Sequence, residues 1–409
     1  MADVKRGGFL ERISRFKDQD TIKILTGVRR CGKSTVMKQY IDVLIESGIE
    51  ESDIVYINME SLANARFEDG TALYQHIIAK SAGRRLYILL DEVQMIDHWE
   101  RVVNSLRIDI DCDIYLTGSN AYLLSTEIST LLTGRSTSFM MLPLSFKEYL
   151  ELDPPKDAAD IMGRFSRYVH VGGMPFIRQG YDDDVIFQRL GEIKSDIILK
   201  DICNRKTRID SVKVRKMVDY MFSEIGNPLS AENLSANLGI STATASEYMS
   251  IILDSMLFYS VERYDLKGMS ILSTMPKIYC VDTGMRNTQP IKGDRDYGRV
   301  LENIVFLELI RRGFRVYVGK IGQYEVDFVT IKNGRYGYYQ VSQTIVDDEV
   351  REREMRPFKS LTGNGDRFLI TADPVESGDV GGVTVMNIID FLLERFCNGF
   401  RTHRLPQRL

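Results

Sequence analysis

Eight residues near the start of the chain, Gly27-Val28-Arg29-Arg30-Cys31-Gly32-Lys33-Ser34, match the pattern GxxxxGK(S/T) in full. Glycines at that spacing let the backbone curl until successive N–H groups face one point, which suits a phosphate. The Lys33 ammonium can then reach β- and γ-phosphate oxygens, and the Ser34 hydroxyl can complete a magnesium shell. Gly27, Arg30, Cys31, Gly32, Lys33, Ser34 and Thr35 are the candidate nucleotide ligands. A second pair with chemistry, Asp91-Glu92, ends the run Leu86-Tyr87-Ile88-Leu89-Leu90. Beside a phosphate-bound metal, Asp91 would join Ser34 in holding magnesium and Glu92 would polarise the attacking water. ATP and Mg2+ are the expected cofactors.

These residues need elements to carry them. Thr21 to Thr26 is a β-rich run leading into the glycine loop, and Thr35 to Ile45 repeats apolar residues at helical spacing. Strand, loop and helix thus occur in the order that a phosphate loop requires. The unbroken apolar run before Asp91 reads as a strand buried on both faces. Asp53 to Met59 adds another strand, and Asp113 to Leu116 a further one that runs into Thr117-Gly118-Ser119-Asn120. Four strands with helices between them predict an α/β fold: a doubly wound parallel sheet with its ligand at the carboxyl ends. Thr117, Ser119 and Asn120 stand where a γ-phosphate sensor would, although a plain turn explains them too. Arg135 follows a helical Ser/Thr-rich segment and is the candidate arginine finger, acting on its own nucleotide or a neighbour's. The region Arg12 to Asp20 is the expected neighbourhood of adenine.

Several segments together resemble the prokaryotic AAA-like ATPases whose C-terminal half is a domain of unknown function related to restriction-endonuclease-like folds. They are GVRRCGKST, LLDEVQMIDHWE with Trp99 after the acidic pair, LTGSNAYLL, LLTGRS followed by LPLSFKEYL, and HVGGMP at Gly172 and Gly173. The resemblance extends through the rest of the chain. It supplies the AAA label and strengthens the finger role for Arg135.

Asp153-Pro154-Pro155-Lys156-Asp157 interrupts the periodicity. The expected organisation is an AAA-like core over 1–152, a helical lid over 153–205, a winged-helix segment over 206–290 and a nuclease-like α/β domain over 291–409. Within the third segment, Ala231 to Leu238 and Thr242 to Leu253 read as helices joined by Gly239-Ile240-Ser241, with Ser241 or Thr242 as cap. Phe258 to Tyr264 and Lys277 to Val281 read as the wing. Residues 242–258 contain no Arg, Lys, Asn or Gln and include Glu247 and Asp254, so this helix suits packing or a protein contact better than DNA. Arg263 and Lys267 remain candidates for a nucleic-acid backbone.

In the last segment, Tyr297 to Arg311 reads as a helix carrying Glu302, and Tyr324 to Lys332 and Tyr336 to Val341 as strands joined at Asn333-Gly334. Glu325 and Asp327 share a strand face and, with Glu302, could hold magnesium. The resemblance implies a helix Glu, a strand Asp and then Glu-x-Lys. Glu302 and Asp327 match, but the last motif reads Gln340-Val341-Ser342. Gln340 brings no negative charge and Ser342 no ammonium, so a degenerate, non-cleaving site is expected. Lys332 and Lys320 are the candidates for a substitute ammonium.

Composition narrows the classes. Lys plus Arg number 53 and Asp plus Glu 57, a net charge of -4, which argues against a uniformly basic nucleic-acid coat. Hydrophobic residues at 44% and charged residues at 27% suit a globular chain. No apolar run approaches the roughly 18 residues of a bilayer span, and Met1 to Lys17 lacks the apolar core of a signal peptide. Five scattered cysteines without a CxxC pair read as reduced thiols in a cytoplasmic protein. The expected function is magnesium-dependent ATP hydrolysis that changes the conformation of the C-terminal half. The alternatives are a nucleotide-gated module docking protein or DNA with slow hydrolysis, and an ATP-dependent nuclease. A homo-oligomer is expected if Arg135 acts on a neighbour.

Overall fold

A computed structural model of the protein describes residues 4–118, 134–157, 159–205, 209–289, 295–361, 363–375 and 377–395. Its apolar runs near the N-terminus form five parallel strands: β1 (Ile22–Thr26), β2 (Ile54–Asn58), β3 (Leu86–Asp91), β4 (Cys112–Gly118) and β5 (Ser136–Met140). Their order in the sheet is β2-β3-β4-β1-β5. Both β1 and β3 are buried at every position, as expected for strands with helices on both faces. Among the described residues four helices accompany them: α1 (Gly7–Ser14), α2 (Lys33–Glu46), α3 (Gly70–Ser81) and α4 (Trp99–Asp109). Ile24, Ile57, Ile88 and Leu116 of the sheet share one core with Leu73, Ile77, Trp99 and Val103. Each such side chain contributes about 1.5–3 kcal/mol by leaving water.

Because all five strands are parallel, their carboxyl ends lie along one edge. There β4 separates the strand of the glycine loop from the strand of the acidic pair. Thr117 pairs in register with Leu25 of β1, one residue beyond the pairing of Leu116 with Leu90 of β3. The fifth strand, β5, was not foreseen.

By its internal contacts the chain forms two compact units. The first comprises Met1–Pro143, Leu199–Arg205 and Asp254–Met256; the second comprises Leu144–Ile198, Lys206–Leu253 and Leu257–Leu409. The second is built on eight strands: β6 (Phe258–Asp265), β7 (Ser270–Cys280), β8 (Arg315–Ile321), β9 (Tyr324–Lys332), β10 (Arg335–Ser342), β11 (Asp366–Thr371), β12 (Gly378–Val380) and β13 (Val383–Asn387). They follow the order β12-β13-β11-β10-β9-β8-β6-β7. Its helices are α5 (Phe146–Leu152), α6 (Asp160–Val171), α7 (Asp183–Asp196), α8 (Ser211–Ser223), α9 (Ala231–Leu238), α10 (Thr242–Asp254), α11 (Thr283–Asn287), α12 (Arg295–Arg311), α13 (Asp348–Lys359) and α14 (Ile388–Leu392).

This grouping differs from the expected boundaries. The break after the nucleotide unit falls at Pro143 rather than near Asp153, because Ser145 and Glu148 form a reciprocal capping box that starts α5 at once. Phe146 then packs against the rings of Phe165 and Tyr168 on α6. The helices read as a lid belong to the second unit up to Ile198. The HVGGMP glycines explain why. A Cβ on Gly173 would lie 2.4 Å from the Leu144 carbonyl, and one on Gly284 would lie 1.9 Å from that of Val171. The clasp is completed by Asp282, which accepts from the N–H groups of Gly173 at 2.8 Å and Met285 at 2.9 Å. The segments expected to form separate winged-helix and nuclease-like domains share one sheet, since β6 pairs in parallel with β8 through Arg263 and Val318.

Local signals predicted other features closely. Asn333 and Gly334 both have positive φ, 51° and 75°, as the tight turn between β9 and β10 requires. Ser241 accepts the N–H of Thr244 at 3.1 Å and caps α10. That helix buries Ala245, Tyr248, Ile251 and Ile252 and exposes Thr242, Ala243, Ser246, Glu247 and Ser250, none of them a cation. Among the described residues, no helix is long and apolar enough to cross a membrane.

Candidate functional site

The glycine loop leaves β1 under tight constraint. A Cβ on Gly27 would lie 2.3 Å from the Met141 carbonyl and 2.9 Å from Cys31 Sγ, so only glycine passes there. Gly32 (φ 105°) sits in the left-handed region at the N-cap of α2, and Arg30 adopts φ 68°, which costs energy for a non-glycine residue. Cys31 is fully buried beneath the loop, whereas Arg30 is exposed. Lys33 is 4% exposed, and its ammonium donates to the carbonyls of Gly27 at 2.9 Å and Val28 at 3.3 Å. Ser34 and Thr35 follow it in the first turn of α2.

The acidic pair sits at the same edge. Asp91 is fully buried; its Oδ1 accepts the Thr117 hydroxyl, and its Oδ2 accepts Tyr56 Oη at 3.0 Å and Asn58 Nδ2 at 3.1 Å. Burial first, and then the Asp91 charge, raise the Tyr56 phenol above its ordinary pKa, so it remains a donor. Glu92 turns into the left-handed region (φ 60°) just past the strand, and its N–H donates to Thr117 Oγ1 at 3.0 Å. Gln94 donates to Glu92 Oε2. One hydroxyl therefore fixes both acidic residues. Carboxylate and hydroxyl oxygens of this kind are the donors that magnesium prefers.

Not every candidate reaches this edge. Thr117 is engaged with the acidic pair; Ser119 and Asn120 lie outside the described residues. Arg135 is not brought to the phosphate loop of its own chain. Its carbonyl accepts the N–H of Ile22 at 2.8 Å, at the opposite end of β1, and its guanidinium donates to Asn104 of α4 at 2.9 Å. At about 3.3 Å per strand residue the two ends of β1 stand roughly 13 Å apart. Asp18, within the region expected near adenine, is likewise at the far edge. It accepts from Tyr87 Oη at 2.8 Å, and its N–H donates to Asp113 at 2.9 Å.

Two residues at the site, Arg6 and Asn58, were missed, and a third, Arg29, was placed beside the phosphate only as one of a cluster of positive charges with Arg30 and Lys33. Arg6 braces the loop from beneath, donating to the carbonyls of Leu142 at 2.9 Å and Cys31 at 3.5 Å. Asn58 supports Asp91 from β2. Arg29 points away from solvent and pairs through two hydrogen bonds with Asp201, at 3.0 and 2.8 Å. Asp201 lies 172 positions away, so no local pattern announces it.

The second acidic cluster is held by a lysine that sequence reading did not consider. Lys277 of β7, 5% exposed, donates to Glu302 Oε1 at 3.0 Å and approaches Glu325 Oε1 at 2.8 Å. Tyr279 also donates to Glu302, and Arg263 pairs with Glu325 at 3.0 Å. Burial opposes the ammonium charge, but the carboxylates of Glu302, Asp327 and Glu325 outweigh it and raise the Lys277 pKa. Burial and the adjacent Glu302 push Asp327 well above the usual carboxylate range, against Lys277 and the Val341 N–H that donates at 2.8 Å. Gln340 accepts the Asp327 N–H at 3.3 Å and donates to Glu354 at 2.8 Å; Ser342 donates to the Thr344 carbonyl at 2.8 Å. Of the two lysines considered as substitutes, Lys332 donates to the Arg312 carbonyl and Lys320 is exposed. Among the described residues, no group of three or more His, Cys, Asp or Glu is arranged to hold a metal ion.

Residues 19–150 match the family model for an AAA domain, and residues 162–294 match that of a domain of unknown function, DUF8612. An uncharacterised protein of Haemophilus influenzae is 34% identical over 401 residues, covering 96% of this chain and 99% of its own. An uncharacterised protein of Methanocaldococcus jannaschii is 28% identical over 355 residues, covering 81% and 78% respectively. Among solved structures, the Aeropyrum pernix Orc1 protein in complex with DNA is similar at a TM-score of 0.30 and 11% identity, over 76% of this chain and 94% of that one. Residues 19–150 thus resemble an AAA domain, and the chain belongs to the same family as the Haemophilus influenzae protein.

Proposed function

We propose that the first unit binds ATP with magnesium and hydrolyses it. The observation that carries this reading is the bridge from Thr117 to both Asp91 and Glu92, at the sheet edge from which the glycine loop departs. Lys33 would exchange the loop carbonyls for phosphate oxygens, keeping a full set of acceptors. Ser34 and Asp91 would hold magnesium, which when bound neutralises charge on the phosphate oxygens. Glu92 would accept a proton as water forms its bond to the γ-phosphorus and the bond to the ADP oxygen breaks. Gln94 steadies Glu92 in that position.

In the second unit, the segment α8–β7 reads as a winged helix and residues 291–409 as a nuclease-like fold that does not cut. Lys277 ties up Glu302 and Glu325, and neither Gln340 nor Ser342 restores the missing groups. The exposed face of α10 offers no cation to phosphate, which favours a protein partner over DNA for this helix. ATP turnover would change the conformation of this half and so its grip on that partner. The thiols of Cys31, Cys112 and Cys280, none of them in a disulfide, suit a reducing cytoplasm.

Equilibrium binding of ATP tests the core of the reading. Loss of a charge-assisted phosphate contact predicts about a tenfold to hundredfold weaker binding in Lys33→Ala. Equal affinities would refute it.

A further inference from the structure

We infer that Arg29 is the residue by which this site distinguishes ATP from ADP, and that Asp201 is the carboxylate that occupies it until a γ-phosphate arrives. The inference rests on the nucleotide reading above. Arg29 lies inside the loop, two residues after Gly27, yet unlike Arg30 it is largely withdrawn from solvent, with 17% of its side chain exposed. Its guanidinium faces three carboxylates. Asp201 takes both ends of the fork, at 3.0 Å from Nε and 2.8 Å from Nη2. Glu60 stands 4.0 Å from Nη1, and Glu92 is close enough to favour the charged guanidinium. Since Glu92 is the group assigned to the water that attacks the γ-phosphate, a guanidinium beside it is on the γ side of the cradle.

A planar fork that binds a carboxylate through two parallel hydrogen bonds binds a phosphate in the same way. Asp201 and a γ-phosphate therefore compete for one group, whereas ADP presents nothing with which to compete. Asp201 also sits on a π-helical turn, Ile197–Ile202, that continues α7. Such turns are rare and concentrate where a helix serves a function. Here the turn presents Asp201 to the loop while Ile198 and Ile202 stay fully buried.

Competition predicts a specific pattern in the affinities for ADP and a non-hydrolysable ATP analogue, measured with magnesium on the full chain. In Asp201→Asn the analogue should bind about fivefold to tenfold more tightly, with ADP changed less than about twofold. In Arg29→Ala the preference for the analogue over ADP should collapse. Should loss of the Arg29 charge compromise folding there, the double variant Arg29→Ala with Asp201→Asn removes both charges and should show the same collapse. Variants that shift both nucleotides by one factor, or neither, would overturn the inference and leave Arg29–Asp201 as a structural clasp. A wild-type protein indistinguishable from Lys33→Ala for both ligands would instead overturn the nucleotide reading, and the inference with it.

Discussion

Thr117 donates its hydroxyl to Oδ1 of Asp91, and its own Oγ1 accepts the backbone N–H of Glu92. The sheet order makes this contact available, because β4 stands between the strand of the glycine loop and the strand of the acids. Removing the hydroxyl while keeping the shape, as in Thr117→Val, leaves a buried carboxylate with one partner fewer, a cost of about 1–3 kcal/mol. The variant should lose roughly tenfold or more in kcat, with ATP affinity changed much less, and Thr117→Ser should recover most of the loss. Steady-state turnover beside direct binding separates the two, and wild-type turnover in the valine variant would contradict the assignment.

Arg135 stands at the amino edge of its own sheet, against Ile22 and Asn104. A finger role for Arg135 would require the γ-phosphate of another copy of the chain. Arg135→Ala is therefore expected to bind ATP as the wild type does, within about twofold, and to lose turnover only at protein concentrations where the chain self-associates. Titrating protein in the ATPase assay shows this. A binding defect in the dilute variant would place Arg135 in its own site after all.

How much of this was readable in the chain depends on the range of each interaction. The glycine loop, the acidic strand end and the Asn333-Gly334 turn are short-range features, and residue type and spacing alone define them. Lys277 was overlooked because its partners Glu302 and Glu325 come from a later helix and strand, and nothing in Lys277-Ile278-Tyr279 marks the lysine as buried. The parallel pairing of Arg263 with Val318 joined two segments that local pattern kept apart. The expected lid boundary lies at the interruption of Asp153-Pro154-Pro155-Lys156-Asp157, and nothing local to Gly172 and Gly173 announces that their bare backbone admits Asp282 and the Leu144 carbonyl.

Lys277→Met would leave the carboxylates of Glu302, Glu325 and Asp327 facing one another without their shared cation. Breaking a buried ion pair on one side costs about 3–5 kcal/mol, and chemical denaturation should show a loss of that size. Adding Glu302→Gln should recover part of it. The raised Lys277 pKa implies a contribution fully present below the ordinary lysine pKa and lost only as pH climbs through the folded value, so the loss should be constant around neutrality. A variant as stable as wild type would show that the ammonium does not hold the cluster. DNA incubated with the wild type and magnesium or manganese should remain intact.

Asp282 gives a prediction of pH dependence. Burial raises its carboxyl to about 6, against the N–H groups of Gly173, Met285 and Gly284 that favour the charged form. A raised carboxyl stabilises the fold when protonated, so its contribution is complete below about pH 4 and is lost as pH rises through about 6. Relative to Asp282→Asn, the wild type should gain stability as pH falls across that window, by up to roughly 3 kcal/mol. Urea unfolding at several pH values measures the difference, and a flat difference would mean that Asp282 stays ionised throughout.

The most direct test of the central claim is phosphate release from ATP with magnesium by the wild type, Lys33→Ala and Glu92→Gln, with ATP binding measured on the same preparations. The expected result is Lys33-dependent release, and a Glu92→Gln protein that still binds ATP but turns over about a hundredfold or more slowly. A wild type releasing no more phosphate than Lys33→Ala, or Glu92→Gln turning over at the wild-type rate, would contradict it.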